Sequence, residues 1–277
     1  MTPYVLPVLF TLFVWWFSTG AILYLDGLPQ RTFKWTMLGT TVLLVLALYA
    51  LATSGRDTTP AGAYCAFTCA ILVWGWQEVA FLLGVATGPR RQPCPPGVVG
   101  WERFRLAFQT VLHHELALVL LAGAVLLATW GAPNQTGWWT FVILWTMRQS
   151  AKLNVFLGVR NLNEQFLPAH LKYLQTYFTR KPMNALFPVS IALSTLLVIP
   201  LWQQALRPGA SEFAVTSLTL QASLLTLAIV EHWFLVLPLP FEALWKWGLR
   251  SRAAAAAPPG AAEPSRVVPL APQSAAD

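Results

Sequence analysis

Ionisable residues occur inside four long apolar stretches of this chain, at positions where a membrane-spanning helix usually carries none. In chain order they read Gln77-Glu78, His113-His114-Glu115, Arg148 with Lys152, and Glu231-His232. A charge at bilayer depth costs roughly 2.5–3.5 kcal/mol on insertion scales, so such groups normally face the interior of a helix bundle and find partners there. Four sets on separate helices therefore predict a buried polar site.

Carboxylates and imidazoles on facing helices can bind metal ions. A two-iron site in a helix bundle usually takes a Glu-x-x-His pair from each of two helices, and the sequence contains no such pair. In addition, the neighbouring residues of His114-Glu115 and of Glu231-His232 point about 100° apart on a helix, so one helix does not easily aim both at one ion. Three interpretations stay open: an ion-pair network, a metal site, and ligation of a pigment or quinone by one His.

Arg148 and Lys152 are four residues apart, which places them on one face of the fifth apolar stretch. This face can neutralise carboxylates such as Glu78 or Glu231, or it can hold a carboxylate or propionate group of a tetrapyrrole. The ion-pair interpretation is the simpler of the two.

The residues around these positions predict an integral membrane protein. The chain has 277 residues, of which 56% are hydrophobic and 10% are charged, with a mean hydropathy of +0.55; a soluble domain is about 25% charged. Roughly 20 apolar residues span a bilayer, and seven stretches qualify: 4–25, 34–54, 61–87, 104–131, 137–160, 185–206 and 213–237. The sequence therefore predicts an all-α, polytopic helix bundle over residues 1–250, in contact with the lipid bilayer.

Three other segments complete the predicted organisation. Residues 161–181 are polar but contain Leu, Phe and Tyr, which favours an interfacial helix or docking surface on the cytoplasmic side, with Glu164 and His170 as secondary candidates for the site. Residues 241–247 are typical of a short amphipathic helix. Residues 251–277 are rich in Ala and Pro and predict a disordered tail.

The distribution of Lys and Arg predicts the orientation of the bundle. Fourteen of the 18 basic residues lie in connections on one side and two on the other, with Arg148 and Lys152 inside a helix. Basic loops stay in the cytoplasm, so the amino terminus is predicted to be periplasmic and the carboxyl terminus cytoplasmic. The same distribution explains the net charge of +7 without nucleic acid as a partner.

This topology also predicts how deep the polar residues lie. At 1.5 Å per residue, Glu78, His113, Lys152 and Glu231 each lie roughly 10–15 Å from the cytoplasmic end of their helices. We therefore expect these four side chains to approach one another inside the bundle, together with Arg148.

Several segments resemble one family, the photosynthetic complex assembly protein 2 (PuhE) family of phototrophic purple bacteria. The similarity covers about residues 4–250 and is carried by four groups of residues. The first two are Trp16-Phe17-Ser18-Thr19-Gly20 with Leu25-Asp26-Gly27-Leu28-Pro29, and Glu78 followed by Thr87-Gly88-Pro89-Arg90. The other two are Ser150-Ala151-Lys152-Leu153-Asn154-Val155-Phe156-Leu157-Gly158-Val159-Arg160-Asn161 with Asn163-Glu164 and His170, and Glu231-His232-Trp233. It implies a bacterial inner-membrane protein (cytoplasmic or intracytoplasmic membrane) associated with reaction-centre and light-harvesting assembly or with bacteriochlorophyll supply. It carries over no catalytic residue.

The leading hypothesis is a polytopic assembly factor that binds a pigment, such as bacteriochlorophyll or a precursor, or subunits of the reaction centre or light-harvesting complex. The alternative is a membrane-embedded enzyme acting on a tetrapyrrole or isoprenoid, with or without a metal ion. The two differ in geometry: a metal-dependent enzyme needs at least three ligand side chains that meet at one point, whereas an assembly factor can contain only Glu–Arg and Glu–Lys pairs.

Overall fold

The computed structural model describes residues 2–252, and within them the chain is helical with no β-strand. Its seven long helices are α1 (Thr2–Asp26), α2 (Phe33–Ser54), α3 (Pro60–Leu82), α4 (Gly100–Ala128), α5 (Thr136–Leu157), α6 (Leu186–Ala205) and α7 (Glu212–Phe234). Short 3₁₀ helices occupy Gln30–Thr32, Glu164–Phe166, Ala169–Tyr177 and Phe241–Trp245. The prediction of an all-α polytopic bundle is confirmed.

Six of these helices are long and apolar enough to cross a membrane, and α5 is the exception. It has 22 residues, as many as α2, but Arg148, Lys152 and Asn154 lower its hydropathy. Because α5 packs against α3, α4, α6 and α7, its polar residues face other helices or an internal cavity. We treat it as the seventh span.

Helix α3 lies at the centre of the bundle. Of its most apolar stretch 67% is buried, against 11% for α2 and 17% for α6, and it contacts α1, α2, α4, α5 and α7. Its first half presents small residues, including Gly62, Ala63 and Ala66, and small residues let membrane helices approach closely.

The three inner helices α3, α5 and α7 pack tightly at one end. A Cβ atom at Gly137 of α5 would lie 2.5 Å from Leu51 Cδ2 and 3.2 Å from the carbonyl oxygen of Ala66, so only glycine fits there without displacing a neighbour. Nearby, Thr136 Oγ1 and Ser217 Oγ lie 2.7 Å apart. At the opposite end the same three helices surround a cavity, and the ionisable residues lie there.

Residues 161–181 fold against the cavity end of the bundle. The segment forms 3₁₀ helices instead of the predicted interfacial helix, and it buries Leu171, Leu174 and Tyr177. A docking surface is therefore restricted to its outer side. Its apolar residues are explained by packing against Phe81 at the end of α3.

The carboxyl-terminal residues pack beside α1. Phe241 and Trp245 are buried with Leu23, and Arg252 donates to both carboxylate oxygens of Asp26, at 2.8 Å each. We call this pair the Arg252 clamp. Residues 251 and 252 thus belong to the helical structure, contrary to the predicted boundary at 250, whereas the rest of the predicted tail, 253–277, lies outside the described residues.

Candidate functional site

A cavity of about 740 Å³ lies among α1, α3, α4, α5 and α7. Small-molecule sites have volumes of roughly 300–1,000 Å³, so this cavity is large enough for a sizeable ligand. Thirteen of its lining side chains are aromatic, and they come from the helices as well as from the segments at 162–178 and 234–245. The cavity is therefore mainly apolar, with polar groups at a few positions.

The first polar group is an ion pair between α3 and α5. Arg148 Nη2 lies 2.9 Å from Glu78 Oε2, and Gln77 donates to the other carboxylate oxygen at 3.0 Å. The Glu78 side chain is 10% exposed, whereas that of Arg148 is 44% exposed. Because Arg148 lines the cavity, its guanidinium group has unused donors that a ligand can reach.

The second polar group joins α4 to α5. Lys152 Nζ lies 2.6 Å from Glu115 Oε1, and Gln149 donates to the second oxygen of the same carboxylate. Arg148 and Lys152 lie on one face of α5 and pair with carboxylates on two different helices. Their positive charges are balanced within the cavity.

Glu231 of α7 has neither cation as a salt-bridge partner. Its carboxylate accepts a hydrogen bond from Trp15 Nε1 of α1 at 2.8 Å, and its side chain is exposed while lining the cavity. The sequence offered Glu78 or Glu231 as partners for the basic residues, but the second carboxylate is Glu115. The cavity therefore contains one carboxylate without a paired cation among residues 2–252.

The buried His232 belongs to a hydrogen-bond network between α5, α6 and α7. Its Nδ1 lies 2.8 Å from the carbonyl oxygen of Ala228 and its Nε2 lies 2.9 Å from Ser150 Oγ. Ser150 Oγ is 2.9 Å from Ser190 Oγ, to which Asn154 also donates at 3.1 Å. Both ring nitrogens of His232 thus have protein partners, so this residue orients helices.

The two adjacent histidines of α4 face in different directions. His114 is 2% exposed and lines the cavity, with its ring centroid 4.6 Å from that of Phe81 and its backbone N–H donating to Thr87 O at 3.0 Å. His113 is exposed on the outer side of α4 and does not line the cavity. The expectation that His113 joins the polar cluster is therefore wrong, because the phase of α4 turns His114 inward instead.

The secondary candidates lie outside the cavity. Glu164 pairs with Arg180 at 3.2 Å on the surface, and His170 Nε2 lies 2.9 Å from the carbonyl oxygen of Leu82. Neither residue lines the cavity. Partial burial lowers the pKa of His170 below its ordinary value, so its neutral form is favoured in the folded protein.

A metal-dependent enzyme requires several ligand side chains that meet at one point. Among residues 2–252, no three His, Cys, Asp or Glu side chains meet in a group that could hold a metal ion. The carboxylates pair with Arg, Lys, Gln and Trp instead. Glu78 and Glu115 form ion pairs with Arg148 and Lys152, and Glu231 accepts from Trp15.

Sequence reasoning did not single out Trp15 and Gln149, the partners of Glu231 and Glu115. Gln149 carries a usable signal, since it is a polar residue beside Arg148 within an apolar stretch. Trp15 carries none, because a Trp in a membrane helix is common and its partner lies 216 residues away.

Comparisons with known proteins give two matches. The family described as "Protein of unknown function (DUF3623)" matches residues 1–256. A protein of Rhodobacter capsulatus, titled "Uncharacterized 30.4 kDa protein in puhA 5'region", is 43% identical over 252 residues, which cover 89% of this chain and 91% of the relative. No solved structure shows a significant match.

Proposed function

We propose that this chain, which belongs to the DUF3623 family, is an inner-membrane assembly factor that holds a large, ring-bearing lipophilic molecule while a photosynthetic complex is built. The molecule is a photosynthetic pigment or its precursor. The observation that carries the proposal is the 740 Å³ cavity, lined by aromatic side chains, among the helices of a membrane-type bundle.

The chemistry of the cavity supports a ligand with a broad apolar surface and a few polar groups. Aromatic side chains favour stacked or edge-to-face contact with other rings, and thirteen of them line the space. The open guanidinium of Arg148 fits a carboxylate or carbonyl group of the ligand, and Glu231 fits a hydrogen-bond donor. The paired carboxylates do not form the metal group that an enzyme of the metal-dependent type requires.

The photosynthetic context rests on two lines of support. The relative in Rhodobacter capsulatus is titled by its position in the puhA 5' region. The sequence segments resemble the PuhE family, whose name has the same prefix as puhA. Reaction-centre or light-harvesting subunits are therefore the proposed protein partners, and the bacterial cytoplasmic or intracytoplasmic membrane is the proposed location.

Two glycines allow a matched test of the cavity. A Cβ atom would meet nothing within 4 Å at Gly75, which lines the cavity, or at Gly39, which lies on the exposed face of α2. Gly75→Phe places a benzyl group in the cavity, whereas Gly39→Phe adds the same side chain to a lipid-facing surface. The two variants therefore differ in the cavity alone.

The experiment deletes the gene in its phototrophic host and restores it with the wild type or either variant. We expect the deletion to lower photosystem abundance and pigment content under phototrophic growth, and only the wild type and Gly39→Phe to restore them. Pigment extracted from the affinity-purified protein should be absent from Gly75→Phe. Unchanged photosystem abundance and pigment content in the deletion strain would contradict the assembly role, and full restoration by Gly75→Phe would contradict a role for the cavity.

A further inference from the structure

The four histidines of this chain have four different environments. His113 is exposed on the outside of α4, His170 is bonded to a backbone carbonyl outside the bundle, and both ring nitrogens of His232 have protein partners. His114 differs from all three. It is buried against Phe81 in the cavity wall, and neither of its ring nitrogens is hydrogen-bonded to a side chain or backbone group of residues 2–252.

An unpartnered imidazole at 2% exposure is destabilising, because buried polar groups in folded proteins are nearly always hydrogen-bonded. The backbone N–H of His114 donates to Thr87 O at 3.0 Å, which fixes the main chain at this position, and the ring packs against that of Phe81, 4.6 Å away. Nδ1 is enclosed by protein, so Nε2 is the ring nitrogen that a ligand in the cavity can reach.

The remaining groups restrict which ligand this is. A bare metal ion needs several protein ligands, and residues 2–252 offer no group of three. A metal that is already held in a planar macrocycle needs only one more ligand, at its open axial position. Neutral imidazole is the side chain that most often supplies such a ligand.

We propose that His114 binds the central metal of a planar metal–tetrapyrrole in this cavity. The inference rests on the proposed function and names the class of ligand: a metallated macrocycle, bound in preference to its metal-free form. The aromatic walls contact the faces and rim of the ring, and the imidazole supplies one lone pair to the metal. No proton or electron is transferred, because one coordinate bond forms and the ligand's axial water or solvent molecule leaves.

The test uses the purified full-length protein in detergent, with a zinc porphyrin and the metal-free form of the same porphyrin as probes. Axial binding of imidazole to zinc shifts the main absorption band to longer wavelength, so the spectrum reports coordination and a titration reports affinity. We expect the wild type to bind the zinc form at least about 10-fold more tightly than the metal-free form, since changes around a metal site typically alter metal affinity about 10–100-fold.

Two variants at residue 114 and one at its neighbour separate coordination from packing. His114→Leu should lose the spectral shift and the preference for zinc, with metal-free binding within about 2-fold of wild type. His114→Gly should regain the shift at imidazole concentrations that leave the zinc porphyrin unshifted in protein-free detergent, which a purely structural role would not produce. His113→Leu, on the outer side of the same helix turn, should behave as wild type.

The outcomes distinguish this inference from the proposed function. Equal binding of both porphyrins by the wild type, or a zinc preference that persists in His114→Leu, would overturn the coordination and leave the pigment-binding cavity in place. Failure of the wild type to bind either porphyrin would overturn the inference together with the proposed pigment site.

Discussion

The pair between Lys152 and Glu115 allows a quantitative test of whether charges in this cavity stabilise the fold as partners. At 2.6 Å and an effective dielectric constant of about 20, two unit charges attract by about 6 kcal/mol. Loss of hydration offsets most of this attraction, so the net contribution of an intact pair is small, whereas removing one partner strands the other charge. Lys152→Met and Glu115→Gln should therefore both destabilise the protein.

The expected magnitude follows from the burial of the pair. Removing one partner of a fully buried pair costs about 3–5 kcal/mol. The side chains of Lys152 and Glu115 are 28% and 16% exposed, and Gln149 still donates to the carboxylate. We therefore expect a loss of about 2–3 kcal/mol for each single change, below the fully buried value. The double variant should lose about 1 kcal/mol or less, because it strands no charge.

Thermal unfolding of the detergent-purified variants measures these differences. For a chain of this size about 1 kcal/mol shifts the melting temperature by about 2–4 °C, so each single variant should melt roughly 5–10 °C below wild type. The control is Glu164→Gln, which breaks the surface pair between Glu164 and Arg180. The Arg180 side chain is 64% exposed and that of Glu164 is 40% exposed, so this change should cost under about 1 kcal/mol. A double variant as unstable as the sum of its two singles would refute the reasoning.

Three further predictions concern the surroundings of the cavity. Gly88→Ala should lower the free energy of unfolding by about 2 kcal/mol or more, since its Cβ would lie 2.1 Å from a backbone oxygen of α4. The control Gly39→Ala meets nothing within 4 Å and should be neutral or stabilising in thermal melts. Arg252→Ala should cost about 3 kcal/mol because it strands a carboxylate that is 1% exposed, while Arg250→Ala, at an exposed position, should stay within about 0.5 kcal/mol of wild type by the same measurement. The pKa of His170 is lowered in the folded protein, so the unfolded chain takes up a proton first as the pH falls below about 6.5. The melting temperature should therefore fall as the pH is lowered through this range, and it should fall less in His170→Gln.

The fold was largely predictable because membrane helices are defined by length and hydropathy, which are local properties. The direction in which each helix faces was not. Lipid is as apolar as the bundle interior, so α4 is apolar on most sides and nothing local distinguishes His113 from His114. The sequence placed both at the right depth, and only the packing of α4 against α3 and α5 decides which of them enters the cavity.

The carboxylates that pair with Arg148 and Lys152 could not be predicted from the local sequence either. The spacing of Arg148 and Lys152 correctly indicated that they share a face of α5. It did not indicate which of three carboxylates each one reaches, because that depends on how three helices are arranged around α5. The packing of segment 161–181 could not be predicted for a related reason: its Leu and Tyr residues contact the end of α3, a surface that exists only after the bundle has formed.

The pairing of α5 with two earlier helices has a consequence for biosynthesis. Glu78 is made 70 residues before Arg148, and Glu115 is made 37 residues before Lys152. At about 5–20 residues per second, the α3 carboxylate waits roughly 4–14 seconds for its cation. Conversely, α5 is the one long helix among residues 2–252 that is not apolar enough to qualify as a span by itself. Pairing with Glu78 and Glu115 lowers the cost of placing Arg148 and Lys152 in the bilayer, so we expect α5 to insert stably only when α3 and α4 are already beside it.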